Sequence, residues 1–61
     1  MNQLSEKELS AINDMLSGEE LLVKKFQMLS EHSQDREVKS KFMEISNKHQ
    51  EHFNSMYEQL R

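Results

Sequence analysis

The 61-residue sequence contains no cysteine, no tryptophan and no proline, and its one glycine is Gly18. Without cysteine there is no disulfide, and a chain this short usually needs a disulfide, a metal or a partner subunit to reach useful stability. Metal binding or self-association is what remains. The missing cysteines also suit a reducing compartment. No run approaches the roughly 20 apolar residues of a membrane span, and the opening "MNQLSEKELS" has neither the basic n-region nor the apolar h-region of a signal peptide. These absences predict a soluble protein, made in the cytoplasm, with no membrane partner. The net charge of −3 is spread, with Lys and Arg mixed among Glu and Asp, so nucleic acid is not an expected partner. The sequence has no Gly-rich phosphate loop and no Cys nucleophile, and its Ser residues lack His and Asp partners at a workable spacing. The expectation is a protein that is not an enzyme.

What is present is helical. "LSEKEL" offers Ser5 as an N-cap with Glu8 three residues on, a capping box, and places Leu4 and Leu9 at the two positions of a hydrophobic staple. The next interruption is "SEHSQDREV", where Ser33, Gln34 and Asp35 are polar and Asp35 can cap a second helix. The chain therefore reads as one all-α helical hairpin over 1–61, with helix 1 over about 5–33, a turn over about 33–36 and helix 2 over about 36–60. "SGEE" is a second capping-box match, and Gly18 weakens a helix by about 1 kcal/mol relative to Ala. The apolar phase nevertheless runs unchanged through Leu9, Ile12 and Leu16 to Val23 and Phe26, which predicts an unbroken first helix.

At alternating spacings of three and four, the first stripe is Leu9, Ile12, Leu16, Glu19, Val23, Phe26, Ser30 and the second is Val38, Phe42, Ile45, His49, His52, Met56. Folding back about Gln34 pairs Phe26 with Phe42, Val23 with Ile45, Glu19 with His49, Leu16 with His52 and Ile12 with Met56. The polar exceptions of the two stripes meet. An alternative phase through Glu20 would turn Glu19 outward, and that choice stays open here. Met15, Leu22 and Leu29 widen the first stripe, and Phe53, Tyr57 and Leu60 widen the second. Faces this broad need more than one neighbour, which predicts a homodimer of hairpins forming a four-helix bundle. Two copies of Glu19, His49 and His52 would then converge on the bundle axis. Two readings of that layer remain: a buried Glu–His hydrogen-bonded layer that fixes register, or a site for a divalent metal such as zinc, iron or manganese. His32, beside Glu31 near the turn, should be solvated, the Met residues should be core filler, and Tyr57 should keep its hydroxyl in water at a bundle end.

From "LSEKEL" through "SGEELLVKKF" to "DREVKSKFMEISNKHQEHFNSMYEQL", the chain resembles the Coat F family of bacterial spore coat proteins, in its short clostridial-type form, within the wider ferritin-like helical group. The resemblance implies a structural role in a spore coat, with other coat proteins as further partners. In ferritin-like carboxylate proteins one helix of each hairpin supplies a Glu and the other Glu-x-x-His, and two hairpins build a di-metal centre. Carried over, Glu19 is the first-helix carboxylate and His52 the His of the motif, while His49 stands where the bridging carboxylate belongs. That departure leaves two carboxylates per dimer instead of four. Ferroxidase-like oxygen chemistry is disfavoured by it, and four imidazoles with two carboxylates suit zinc, nickel, copper or a single iron better than a diferric pair.

Overall fold

The computed structural model describes residues 4–60. Helix α1 spans Glu6–His32 and helix α2 spans Arg36–Glu58, packed against each other as an antiparallel hairpin. At α1's start the expected capping box is formed: the Ser5 hydroxyl accepts from the Glu8 backbone N–H at 3.1 Å, and the Ser5 N–H donates to the Glu8 carboxylate at 3.0 Å. Two of the N–H groups that every helix start leaves without a partner are thereby satisfied. The helix runs through Gly18 unbroken. It ends where Ser33 turns extended and donates its N–H to the Ser30 carbonyl at 3.2 Å. Asp35 then caps α2, its carboxylate accepting from the N–H groups of Glu37 at 2.8 Å and Val38 at 3.1 Å. The connection is three residues, Ser33 to Asp35, held by the Ser33 hydroxyl donating to the Asp35 carbonyl at 3.3 Å. Helix α2 closes at Glu58, with Gln59 and Leu60 in a turn. Among the described residues no helix is long and apolar enough to cross a membrane.

Two helices side by side make a plank of 46 × 16 × 10 Å, one helix thick. Its interior is therefore a line and not a volume. Among the described residues only Leu16 and Val23 are buried apolar side chains, joined by two buried serines, Ser30 and Ser46. The serines are what lets the helices approach. Ser30 donates its hydroxyl across the gap to the Lys39 carbonyl at 2.9 Å, and Ser46 donates back to the Val23 carbonyl at 3.1 Å. Each small side chain sits against the opposite backbone, and its hydroxyl is paired, so burial leaves no polar atom stranded. This corrects one expected pairing: Ser46, 1 % exposed, lies opposite Val23, while Ile45 is 38 % exposed on the flank. Phe26 and Phe42 meet as the fold-back about Gln34 requires, with ring centroids 5.9 Å apart.

Because the plank is one helix thick, it has two broad faces, and they differ. On one, Met15, Glu19, Leu22, Phe26 and Leu29 of α1, spaced as one helical stripe, run beside Val38, Ile45, His49, His52 and Met56 of α2. Here it is called the histidine face. The other carries a shallow groove of about 250 Å³ lined by Glu20, Val23, Lys24, Gln27, Gln50 and Phe53, with Phe53 and Tyr57 stacked along it at 6.2 Å. It is called the groove face.

Candidate metal centre

Glu19 lies at the midpoint of α1, thirteen residues from Glu6 (19 − 6) and thirteen from His32 (32 − 19). Its side chain is only 15 % exposed. The carboxylate reaches across to α2 and uses one oxygen for each of two histidines: His49 Nδ1 lies 2.9 Å from Oε1 and His52 Nδ1 lies 3.0 Å from Oε2. The two imidazoles stand three residues apart, which places them on adjacent turns of the same helix flank. His49 is 23 % exposed and His52 63 % exposed, so the cluster opens from the seam onto the histidine face.

The rings are held as well as bonded. His49 lies flat on Phe26, centroids 5.9 Å apart and planes 13° apart, and Phe26 in turn touches Phe42. His52 meets His49 edge to face at 5.8 Å and 85°. A row Phe42–Phe26–His49–His52 thus follows the seam, and its aromatic stacking fixes the plane in which each imidazole can bond.

Glu19, His49 and His52 each offer a ligand atom within 4.8 Å of the others, close enough to hold one metal ion. Among the described residues no fourth His, Asp or Glu joins them, and the sequence has no Cys to add. An imidazole–carboxylate set suits zinc and neighbouring divalent transition metals. The structure brings together all three residues singled out from the sequence, with one change of role. His52, paired with Leu16 by the seam arithmetic, instead turns to the free oxygen of Glu19. Glu20, the alternative inward carboxylate, is exposed and lines the groove on the other face. His32 is also exposed, with Nδ1 3.0 Å from the Met28 carbonyl of its own helix, and stands apart from the cluster. The sequence reading missed the two serine bridges; Ser30 lay on the predicted stripe, whereas Ser46 carried no apolar signal. No family model, curated protein or solved structure matches the chain, so the likeness to Coat F proteins rests on the stretches quoted for it.

Proposed function

We propose that the chain is a structural, self-associating helical hairpin: two copies pair through their histidine faces into a four-helix bundle, and a divalent metal at Glu19, His49 and His52 secures the pairing. The observation that carries this reading is the placement of a carboxylate bonded to two imidazoles in the middle of a face that is otherwise apolar. Met15 at 50 %, Val38 at 42 % and Ile45 at 38 % exposure leave hydrocarbon in water on this face, as Leu21, Met28 and Tyr57 do elsewhere. Total accessible area supports the same reading. The chain exposes 5114 Å², against the ~4,200 Å² that size scaling gives for a compact monomer of 7.3 kDa. The excess, about 900 Å², is close to the ~800 Å² that one partner contributes to a standard interface. A second copy is the economical cover, since a two-fold interface lets the same surface serve both sides.

A spore-coat setting, which the likeness to Coat F proteins implies, fits a role in assembly and persistence; it is checked by whether the protein fractionates with the coat of a spore-forming host. A second reading has its own support. Both oxygens of Glu19 are already hydrogen-bonded by the histidines, so the cluster is also self-sufficient as a polar layer that fixes register without a metal. Thermal unfolding at several protein concentrations, with zinc and with chelator, separates these. A midpoint that rises with concentration, and rises further with zinc, is the expected result. A midpoint independent of both contradicts the proposal, while concentration dependence without a zinc effect favours the metal-free layer.

A further inference from the structure

Deepening the metal reading, on which it rests, the geometry points to a single metal ion shared by two copies of the chain, bound by the Nε2 atoms of His49 and His52 from each copy, with Glu19 a positioning residue and not a ligand.

One nitrogen of each imidazole is already used. An ionised carboxylate can only accept hydrogen bonds, so the imidazoles that face Glu19 present Nδ1–H to it, at 2.9 and 3.0 Å. A neutral imidazole protonated at Nδ1 carries its available lone pair on Nε2, the atom across the ring from the bonded edge. A metal needs that lone pair. Carboxylate–imidazole–metal arrangements of this kind are the usual way a ligating histidine is oriented: the outer carboxylate fixes the tautomer and raises the basicity of the ligand. The observed distances are hydrogen-bond lengths. They are shorter than the ~3.3 Å that separates two ligand atoms around a tetrahedral zinc with bonds of about 2.0–2.1 Å.

Two Nε2 atoms do not complete a zinc site, because a structural zinc takes four ligands. The cluster has no further ligand among the described residues of its own chain. Its position supplies the answer. Glu19 is the midpoint of α1, and any two-fold relation that superposes one hairpin's length on the other sets the midpoint of one copy against the midpoint of the next, whichever way the hairpins run. His52, at 63 % exposed, is the member of the cluster that projects furthest into the histidine face. Charge balances too. Four neutral imidazoles add nothing, and two Glu19 carboxylates just outside them offset the divalent ion, which removes the main penalty for enclosing it.

The test uses the full chain stripped of metal. Titration with Zn(II) in a calorimeter should saturate at one zinc per two chains. Long-range 1H–15N NMR of the zinc-loaded protein should show Nε2 of both histidines metallated and Nδ1 still protonated, and the zinc-free protein should already hold both rings in the Nδ1–H form. Glu19→Ala should lower zinc affinity by about 10–100-fold with the stoichiometry and the Nε2 ligation kept, and should release the zinc-free rings into a mixture of tautomers. His52→Ala should abolish binding at these concentrations. One zinc per chain would overturn the shared site, and metallation of Nδ1, or complete loss of binding in a folded Glu19→Ala, would overturn the positioning role of Glu19, each leaving metal binding by the wild type intact. No zinc uptake by the wild-type chain would overturn both. The nitrogen assignment needs no variant and identifies the ligand atoms even if Glu19→Ala does not fold.

Discussion

The two faces of the hairpin are made by the same two helices and differ in how their polar groups are satisfied. Along the groove face, Glu20, Lys24 and Gln27 of α1 stand with Gln50 of α2 around a shallow floor that Val23 and Phe53 provide; water can satisfy every polar group there. Along the histidine face, Met15, Leu22 and Leu29 lie beside Val38, Ile45 and Met56, and the polar groups of the centre, Glu19, His49 and His52, satisfy one another. The helices pair along a narrow seam through Leu16, Val23, Ser30 and Ser46, and on the histidine side also through Phe26 with Phe42 and Glu19 with His49 and His52. What lies outside that seam is free to specify what comes next. One side is lined mostly by charged and amide side chains, the other by apolar side chains around a polar centre.

The sharpest way to break this contrast is to place the same kind of charge on each face. Ile45→Asp would enclose an unpaired carboxylate in the histidine-face contact, at a cost of about 3–5 kcal/mol, and should leave a monomer whose thermal midpoint no longer depends on concentration. Gln27→Glu on the groove face should change stability by less than about 0.5 kcal/mol. If the two substitutions behave alike, the faces are equivalent and the contrast is void. Next in size is the seam itself. Ser46→Leu forces a large side chain into a position that is 1 % exposed and pressed on the Val23 carbonyl. It should cost about 3 kcal/mol through overpacking and a lost hydrogen bond, read in urea unfolding, and it should disturb both faces together.

His49→Leu asks whether the polar centre matters to the histidine face. It removes the partner of Glu19 Oε1 and the ring stacked on Phe26, leaving a half-satisfied carboxylate, and should cost about 2 kcal/mol. An unchanged urea midpoint would mean that Glu19 is solvated and the centre is ornamental. Smaller still is Ser5→Ala, far from the cluster, which breaks the capping box of α1 and should cost about 1 kcal/mol without changing association. The Ser5 backbone N–H, with the Ser5 hydroxyl adding to it, holds the Glu8 carboxyl below the usual carboxylate range. A carboxyl lowered in the folded state contributes stability above its unfolded pKa and loses it as pH falls through the folded one. The start of α1 should therefore fray on acidification, seen as amide exchange quickening at its first turn before the seam responds. Gly18→Ala should act in the opposite direction. A methyl there would meet nothing within 4 Å in the single hairpin, so helix propensity should gain up to about 1 kcal/mol; a loss instead would show that a partner packs into that space.

Much of this was legible because helical spacing and capping are local. Ser5 with Glu8 and Asp35 before Val38 announced the helix starts, and the single fold-back that joins Phe26 to Phe42 also puts Glu19 on His49. Ser46 was not legible. A seam register of alternating three and four places Ile45 inward, but a buried serine whose hydroxyl bonds the opposite carbonyl takes the place, and Ile45 stands on the flank. Hydrophobic pattern cannot report a small polar residue that packs by being small. The bond from His52 to Glu19 could not be read from the seam register for a related reason. Its position near the stripe's edge is compatible with either Leu16 or Glu19, and only the second, unused oxygen of Glu19 decides between them. The pattern did carry the width of the stripes, and with it the expectation that one hairpin is insufficient.

The most direct measurement is sedimentation equilibrium of the full chain at micromolar concentration, wild type beside Ile45→Asp. Pairing through the histidine face gives a mass of twice 7.3 kDa for the wild type and the single-chain mass for the variant. A wild type that sediments as one chain, or a variant that still sediments as two, would contradict it.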